Sequence, residues 1–344
     1  MDMKTLELAK PLEPFTVLDQ TKLPGAVEHV RVTDATDGRE VIATMVVRGA
    51  PLIGVVGGFA LALELKRDAS DAALTQATRL LVSARPTAVN LAFAVEAVAA
   101  EARKHAPGER AHAAWAKALA LHDEEIVACQ KMGEAGLKLL RGLNVNGTLQ
   151  VMTHCNAGWL ATVGLGTALA PIYLAHEAKL PIHVWVSETR PRNQGLLTEF
   201  ELRARKVPHT LVADNACGLL LQRQKVHAVI VGTDRTTADG DVCNKVGTYL
   251  KALAAKEAKV PFWVAAPSSS IDFSLHDGSA IEIEERSGAE VRIVNGARLV
   301  SDEVAVANPA FDVTPARFVS QLLTERGACD ASAAGLKRLF PEKF

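Results

Sequence analysis

The chain has 344 residues, of which 49% are hydrophobic and 22% charged, and its formal net charge is −1. That length and those proportions predict an ordinary globular protein of about two domains. A charge this near zero excludes a whole-chain electrostatic footprint for nucleic acid or for an anionic membrane, so any phosphate must be bound by a few placed groups.

Taken in order, residues 1–7 lack the apolar stretch of a signal peptide. Residues 1–32 read as short strands and turns: 15–18 alternate, and 19–25 are turn-rich. Asp37 is placed to cap a helix running to about Val47. Arg48-Gly49-Ala50-Pro51 breaks it, with Pro51 suited to the first turn of the next helix, about 52–67. That helix is apolar on nearly all sides. Its run from Gly49 to Leu63 is shorter than the ~18 residues of a membrane span and is bounded by Arg48 and Glu64, so a buried helix is predicted. Gly54, Gly57 and Gly58 suggest a backbone packed close by.

Helical patterns continue at about 70–83, 88–105 and 109–141, with breaks at Arg85-Pro86-Thr87 and Pro107-Gly108. Residues 1–141 thus read as a mostly helical domain with short N-terminal strands, and 142–147 as the junction. From 148 to 344 the pattern changes. Apolar runs at 149–153, 182–186, 210–212, 228–231 and 262–265 alternate with helices near 158–178, 194–206, 215–224 and 245–258. That alternation predicts an α/β domain with a parallel sheet covered on both faces. A last helix is expected near 316–326.

The strand ends carry the chemistry. They read His154-Cys155-Asn156, Ser187-Glu188-Thr189-Arg190, Asp214-Asn215, Thr233-Asp234-Arg235 and Pro267-Ser268-Ser269-Ser270. In a parallel sheet these ends share one edge, where open α/β sheets bind ligands. Cys155 at a strand end before a helix start is either a small buried hydrophobe or a thiol whose thiolate is stabilised. Asp234 is either a turn cap paired with Arg235 or, if shielded, a proton donor. Arg48 and Arg85, each beside turn residues, are either solvated or bidentate phosphate ligands. Asn244-Lys245, read as opening a helix, is either an ordinary cap or a phosphate cradle. His154 reads as a hydrogen-bonded wall or a proton-transfer assistant. Gly164-Leu165-Gly166 lacks the third glycine and the position of a dinucleotide fingerprint. The five cysteines, Cys129, Cys155, Cys217, Cys243 and Cys329, are odd in number and form no C-x-x-C pair. They predict no disulfide framework, no structural zinc and a reducing, cytoplasmic setting.

Six motifs in order carry a specific resemblance: Arg48-Gly49-Ala50-Pro51, Arg85-Pro86-Thr87, Thr153-His154-Cys155-Asn156-Ala157-Gly158, Glu188-Thr189-Arg190-Pro191 with Gln194-Gly195, Gly232-Thr233-Asp234-Arg235, and Gly240-Asp241-Val242-Cys243-Asn244-Lys245. Together they resemble the methylthioribose-1-phosphate isomerase family. The resemblance implies a helical N-terminal domain, a Rossmann-like C-terminal domain and a homodimer. It implies an aldose–ketose isomerase of methionine salvage that converts 5-methylthioribose 1-phosphate to 5-methylthioribulose 1-phosphate with no metal or organic cofactor. Cys155 and Asp234 match the family's catalytic pair. Arg48, Gly49, Ala50, Arg85, Gln194, Asn244 and Lys245 match its substrate contacts. Leu52 and Cys243 depart from the commonest pattern and bear on substrate choice. The alternatives are an isomerase of 5-deoxyribose 1-phosphate, one of ribose 1,5-bisphosphate, and a regulatory subunit of the translation initiation exchange factor. The last has no need of the thiol and carboxylate.

Overall fold

The computed structural model describes residues 3–85, 89–294 and 296–344. The chain groups into two compact units, Met1–Gln130 with Gly158–Gly166, and Lys131–Ala157 with Thr167–Phe344.

In the first unit, β1 (Leu6–Glu7), β2 (Phe15–Leu18) and β3 (His29–Val32) form an antiparallel sheet in that order. Helix α1 (Ala35–Ala43) follows. Its cap is Asp34, whose carboxylate accepts from the N–H groups of Thr36 and Asp37, so Asp37 lies in the first turn instead of capping it. Helix α2 (Ala50–Arg67) has Pro51 in its first turn and is buried on nearly every side, as its sequence predicts. Around it lie α3 (Asp71–Val82), α4 (Val89–Arg103) and the long α5 (Pro107–Gly142). Pro86, Thr87 and Ala88, which include part of one expected break and the expected start of α4, lie outside the described residues. The α2 glycines do what their spacing implied. A Cβ on Gly54 would come within 2.9 Å of the Asn90 carbonyl, and one on Gly57 within 2.8 Å of Val95. Each aliphatic side chain sealed here contributes about 1.5–3 kcal/mol.

The grouping differs from a single boundary near 142–147. The first unit ends inside α5, and Gly158–Gly166 belongs to it. Hydrogen bonds explain the second point: Thr5 Oγ1 donates to the Thr162 carbonyl (2.9 Å) and Gln20 Nε2 to the Leu160 carbonyl (2.7 Å).

The second unit alternates strand and helix: β4 (Leu149–Thr153), α6 (Ala170–Glu177), β5 (Ile182–Ser187), α7 (Gly195–Ala204), β6 (His209–Val212), α8 (Ala216–Gln222) and β7 (Ala228–Val231). Next come β8 (Arg235–Thr237), β9 (Val242–Lys245), α9 (Thr248–Glu257), β10 (Phe262–Ala265) and β11 (Ile271–Asp272). The chain ends with α10 (Ala289–Arg292), β12 (Ile293–Val294), β13 (Ala297–Arg298), β14 (Phe311–Thr314), β15 (Gln321–Thr324), β16 (Gly327–Cys329) and α11 (Ala333–Leu339). The main sheet has the order β16-β15-β10-β7-β4-β5-β6 and is parallel except for edge strand β16. From β4 the chain builds outward through β5 and β6, then returns to the other side of β4 with β7. The strand order therefore reverses between β4 and β7, the topological switch point at which such sheets bind ligands. A smaller sheet, β11-β8-β9-β14, follows directly from the end of β7.

Three expected elements are different. The helix expected at 158–178 begins only at Ala170. Before it, a 3-10 turn at Trp159–Ala161 and a Gly158–Gly166 bridge fold the glycine-rich stretch back on itself. The helix expected at 316–326 is a 3-10 turn, Ala316–Phe318, followed by β15, whose buried Leu322 and Leu323 pair along β10. Asn244 and Lys245 end a strand paired with β14 and do not open α9, whose cap is Gly247.

Candidate active site

The turns that leave β4 and β7 run side by side. Met152 and Val229 are register partners, and a Cβ on Gly232 would lie 2.9 Å from that of Ala157. Only glycine lets the two turns pass this closely. One turn carries Cys155, the other Asp234. The Asp234 N–H donates to the Cys243 carbonyl (3.0 Å), and Thr233 Oγ1 donates to the same oxygen (3.1 Å).

Cys155 has φ +64, a left-handed conformation uncommon outside glycine. Its N–H donates to Thr189 Oγ1 (2.9 Å), and its carbonyl accepts from Thr198 Oγ1 (2.8 Å). No helix starts behind this turn, so the helix dipole expected to stabilise a thiolate is not what Cys155 meets. It meets a lysine. Cys155 is half-buried, whereas Cys129, Cys217, Cys243 and Cys329 are buried. Burial pushes those four thiols up, Cys243 to about 12 and Cys329 to about 11. They remain protonated at neutral pH.

Lys245 is buried, and its Nζ donates to the Ala310 carbonyl (2.8 Å) while lying 4.7 Å from the Phe311 ring centre. Burial lowers its pKa, Arg286 adds to the fall, and interaction with Cys155, Asp234 and Glu290 opposes it. One ammonium is thus in electrostatic reach of both the thiol and the carboxylate. Arg286 adds a second cation. Its guanidinium stands 5.4 Å from the same ring, pairs with both Glu284 oxygens (2.8 and 3.2 Å), and is in electrostatic reach of Asp234. Sequence reasoning missed it, because Glu284-Glu285-Arg286 reads as a solvated charge run.

Asn244 Nδ2 donates to Thr248 Oγ1 (3.0 Å), whose hydroxyl donates to the Lys245 carbonyl (2.7 Å). The α9 N-terminus is not an open anion cradle. Asp312 fills it, accepting from the N–H groups of Gly247 (2.6 Å) and Tyr249 (3.1 Å). Burial raises the Asp312 carboxyl to about 6 against those N–H groups and Lys251.

Gln194 precedes α7 and is buried. Among the described residues its Oε1 has no hydrogen-bond partner. That acceptor is suited to a ligand hydroxyl. Gly195 behind it is obligatory, since a Cβ would lie 2.0 Å from the Ser187 carbonyl.

His154 is a buried wall. Nε2 lies 2.8 Å from the Val246 carbonyl and so carries the proton, and burial with Lys251 nearby lowers its pKa to about 3. Ser187 Oγ donates to Asp214, and Thr189 Oγ1, whose hydroxyl donates to the Ser187 carbonyl (3.0 Å), stands 3.2 Å from Nδ1. Burial of Asp214 favours its neutral form. The Ser187 hydroxyl, the N–H groups of Arg190 and Thr189, and Lys251 outweigh burial and hold the carboxyl below its usual range.

Arg48, Gly49, Ala50 and Arg85 belong to the first unit. Gly49 has φ +98, and a Cβ there would lie 2.5 Å from the Ala161 Cα, so only glycine fits. Ala50 begins α2; Arg48 and Arg85 are half-buried. Of the two departures from the family pattern, Leu52 packs fully buried in the core around α2. Cys243 is buried, and it is its backbone carbonyl that holds the Asp234 turn. Among the described residues no group of three or more His, Cys, Asp or Glu could hold a metal ion, and no helix is long and apolar enough to cross a membrane.

Comparison with known proteins identifies the family. Residues 46–331 match the initiation factor 2 subunit family. The methylthioribose-1-phosphate isomerase of Methylobacterium nodulans is 54% identical over 95% of this chain and 93% of its own length. That of Methylorubrum extorquens is 52% identical with the same coverage. Among solved structures, 5-methylthioribose 1-phosphate isomerase from Pyrococcus horikoshii OT3 superposes with TM-score 0.89 at 36% identity, covering 98% of this chain and 96% of that one. The A. fulgidus protein described as translation initiation factor eIF-2B subunit delta superposes with TM-score 0.86 at 34% identity, covering 99% and 100%. The chain belongs to the methylthioribose-1-phosphate isomerase family, within the initiation factor 2 subunit family.

Proposed function

We propose that the turns after β4 and β7 form the catalytic centre of an aldose–ketose isomerase that converts 5-methylthioribose 1-phosphate to 5-methylthioribulose 1-phosphate in methionine salvage. The observation that carries this reading is that the turns bearing Cys155 and Asp234 run side by side at the switch point, Met152 paired with Val229 and Gly232 against Ala157. A sugar phosphorylated at C1 cannot open as a free aldose does. The ring oxygen must gain a proton as its bond to C1 breaks. A hydrogen must move from C2 to C1, and the C2 hydroxyl must lose its proton to become a carbonyl. In our assignment Asp234 gives the proton to the ring oxygen and recovers one from the sugar hydroxyls, while Cys155 serves at the C1–C2 side. Gln194, Asn244 and Lys245 are assigned to substrate binding, as are Arg48, Gly49, Ala50 and Arg85, which match the family's substrate contacts. The protein works as a homodimer in the cytoplasm.

Kinetics of Cys155→Ser and Asp234→Asn with the purified sugar 1-phosphate test the assignment. Each is expected to lose roughly 100- to 10,000-fold in kcat/KM. A Cys155→Ser enzyme with full activity would falsify the thiol's role. Solvent deuterium separates two routes for the C2 hydrogen: label at product C1 supports an enolate, and its complete absence supports direct hydride transfer. Comparing kcat/KM for the 5-methylthio and 5-deoxy sugars fixes the preference, because one group in an apolar pocket is worth only ~1–3 kcal/mol. Sedimentation of the purified protein checks the dimer.

A further inference from the structure

The left-handed backbone at Cys155 needs something to hold it: Thr189 takes its N–H, and the hydrogen bonds on its carbonyl side converge on one helix. Gln194, Thr198 and Glu201 stand at positions i, i+4 and i+7 at the head of α7, a spacing that puts them on one face. Thr198 is fully buried, and its hydroxyl donates to the Cys155 carbonyl (2.8 Å) while accepting from Asn156 Nδ2 (3.2 Å). Glu201, also fully buried, takes the same Asn156 Nδ2 at 2.7 Å on one oxygen and the Tyr173 hydroxyl at 2.6 Å on the other. The Arg205 guanidinium lies 4.4 Å from the Tyr173 ring centre and closes the network on its outer side. A buried carboxylate has to be held by such donors. Here two of them tie α7 and α6 to the residue after Cys155.

We infer that Thr198 is a positioning residue for Cys155, and that the Gln194–Thr198–Glu201 face of α7 fixes the thiol's place relative to the buried Gln194 amide. The inference rests on the proposed role of Cys155. Thr198 does not meet the reacting atoms. It restrains the carbonyl of a residue whose backbone, left to its own preference, would relax out of the left-handed region and swing the thiol away. Glu201 acts one step further back, by fixing Asn156 so that the turn cannot rotate about the Thr198 bond. Nothing about Thr198 marks it in the sequence, since a threonine in the first turns of a helix usually bonds its own backbone.

The test compares Thr198→Ser with Thr198→Val. Serine keeps the donor, whereas valine keeps the volume and removes it. Displacement of a reacting group by about 1 Å costs up to ~100-fold. Thr198→Val should therefore lose about 10- to 100-fold in kcat with KM within about threefold, and Thr198→Ser should stay within about threefold in both. The rate at which iodoacetamide labels Cys155, followed against pH by mass spectrometry, should shift in the valine variant and not in the serine one. Equal behaviour of the two variants, whether both active or both inactive, overturns the inference. If the valine variant does not fold, Thr198→Ala replaces it under the same criterion. Cys155→Ser kinetics run alongside separate the two claims. Full activity there sinks the role of the thiol, whereas a dead Cys155→Ser with indistinguishable serine and valine variants sinks only the role of Thr198.

Discussion

The two turns at the switch point hold their functional groups by different means. The turn after β7 is fixed chiefly by main chain: Gly232 passes Ala157 at a distance no side chain allows, and the Asp234 N–H joins the Cys243 carbonyl of β9, with the Thr233 hydroxyl donating to the same oxygen. The turn after β4 is fixed by side chains: Thr189 takes the Cys155 N–H, Thr198 donates to its carbonyl, and the residue itself has φ +64. The carboxylate therefore inherits its place from the sheet, and the thiol inherits its place from three buried hydroxyl and carboxylate partners. Changes of side chain should move the thiol and leave the carboxylate, and only a change of backbone space should move both.

The strongest way to break that comparison is Gly232→Val. The added carbons have to enter the 2.9 Å gap to the Ala157 Cβ, and both neighbours are anchored, so the strand ends must separate. Overpacking of this kind costs about 1–3 kcal/mol of stability. Because both groups shift, kcat/KM should fall by more than ~100-fold. Kinetics beside a urea melt check this, and near-native activity would mean that the two turns do not jointly form the site. A milder probe is Thr189→Val, which takes the acceptor from the Cys155 N–H and the donor from the Ser187 carbonyl while leaving the Asp234 turn alone. We expect a loss of about 10-fold in kcat from thiol misplacement and about 1 kcal/mol in stability from the lost hydrogen bond. Thr189→Ser should recover most of both.

Much of this was legible in the sequence, and the parts that were not share a cause. Helix α2 and strands β4, β7 and β10 announce themselves because periodicity and burial coincide, and β7 is four buried apolar residues in a row. Cys155 and Asp234 were visible as polar residues following such runs. The stretch after Cys155 was misread because its apolar residues suit a helix, whereas Gly158, Gly164, Gly166 and the buried Thr162 favour a folded excursion stitched by Thr162 Oγ1 to the N–H groups of Gly164 (3.2 Å) and Gly166 (3.1 Å). Residues 316–326 were misread because strand pairing with β10 overrides a weak local preference. Arg286 and Asp312 escaped notice because their roles come from partners far along the chain, Phe311 for one, the α9 N-terminus for the other. A cap supplied from 65 residues away leaves no local signature.

The smallest expected effect concerns two titrating groups near these turns, the buried His154 and the half-buried Asp312, which oppose each other. His154 is lowered from 6.5 to about 3 by burial and Lys251, so the unfolded chain binds a proton that the folded one refuses. Its contribution is present above pH 6.5 and is lost as pH falls. Asp312 is raised from 3.8 to about 6 by burial, so the folded chain keeps a proton that the unfolded one releases. Its contribution is present below pH 3.8 and is lost as pH rises through about 6. Between pH 3.8 and about 6 one slope is positive and the other negative, each about 1.4 kcal/mol per pH unit, and they nearly cancel. Removing either group should expose the other. Relative to the parent protein, His154→Gln should lose stability as pH rises from 4 to 6, and Asp312→Asn should gain it. Urea midpoints across that range measure the difference of slopes, which is independent of whatever each substitution costs in packing. Parallel slopes for the two variants would show that neither group changes its protonation on folding. The wall behind Cys155 and the cap behind Lys245 would then have no part in the protein's response to acid.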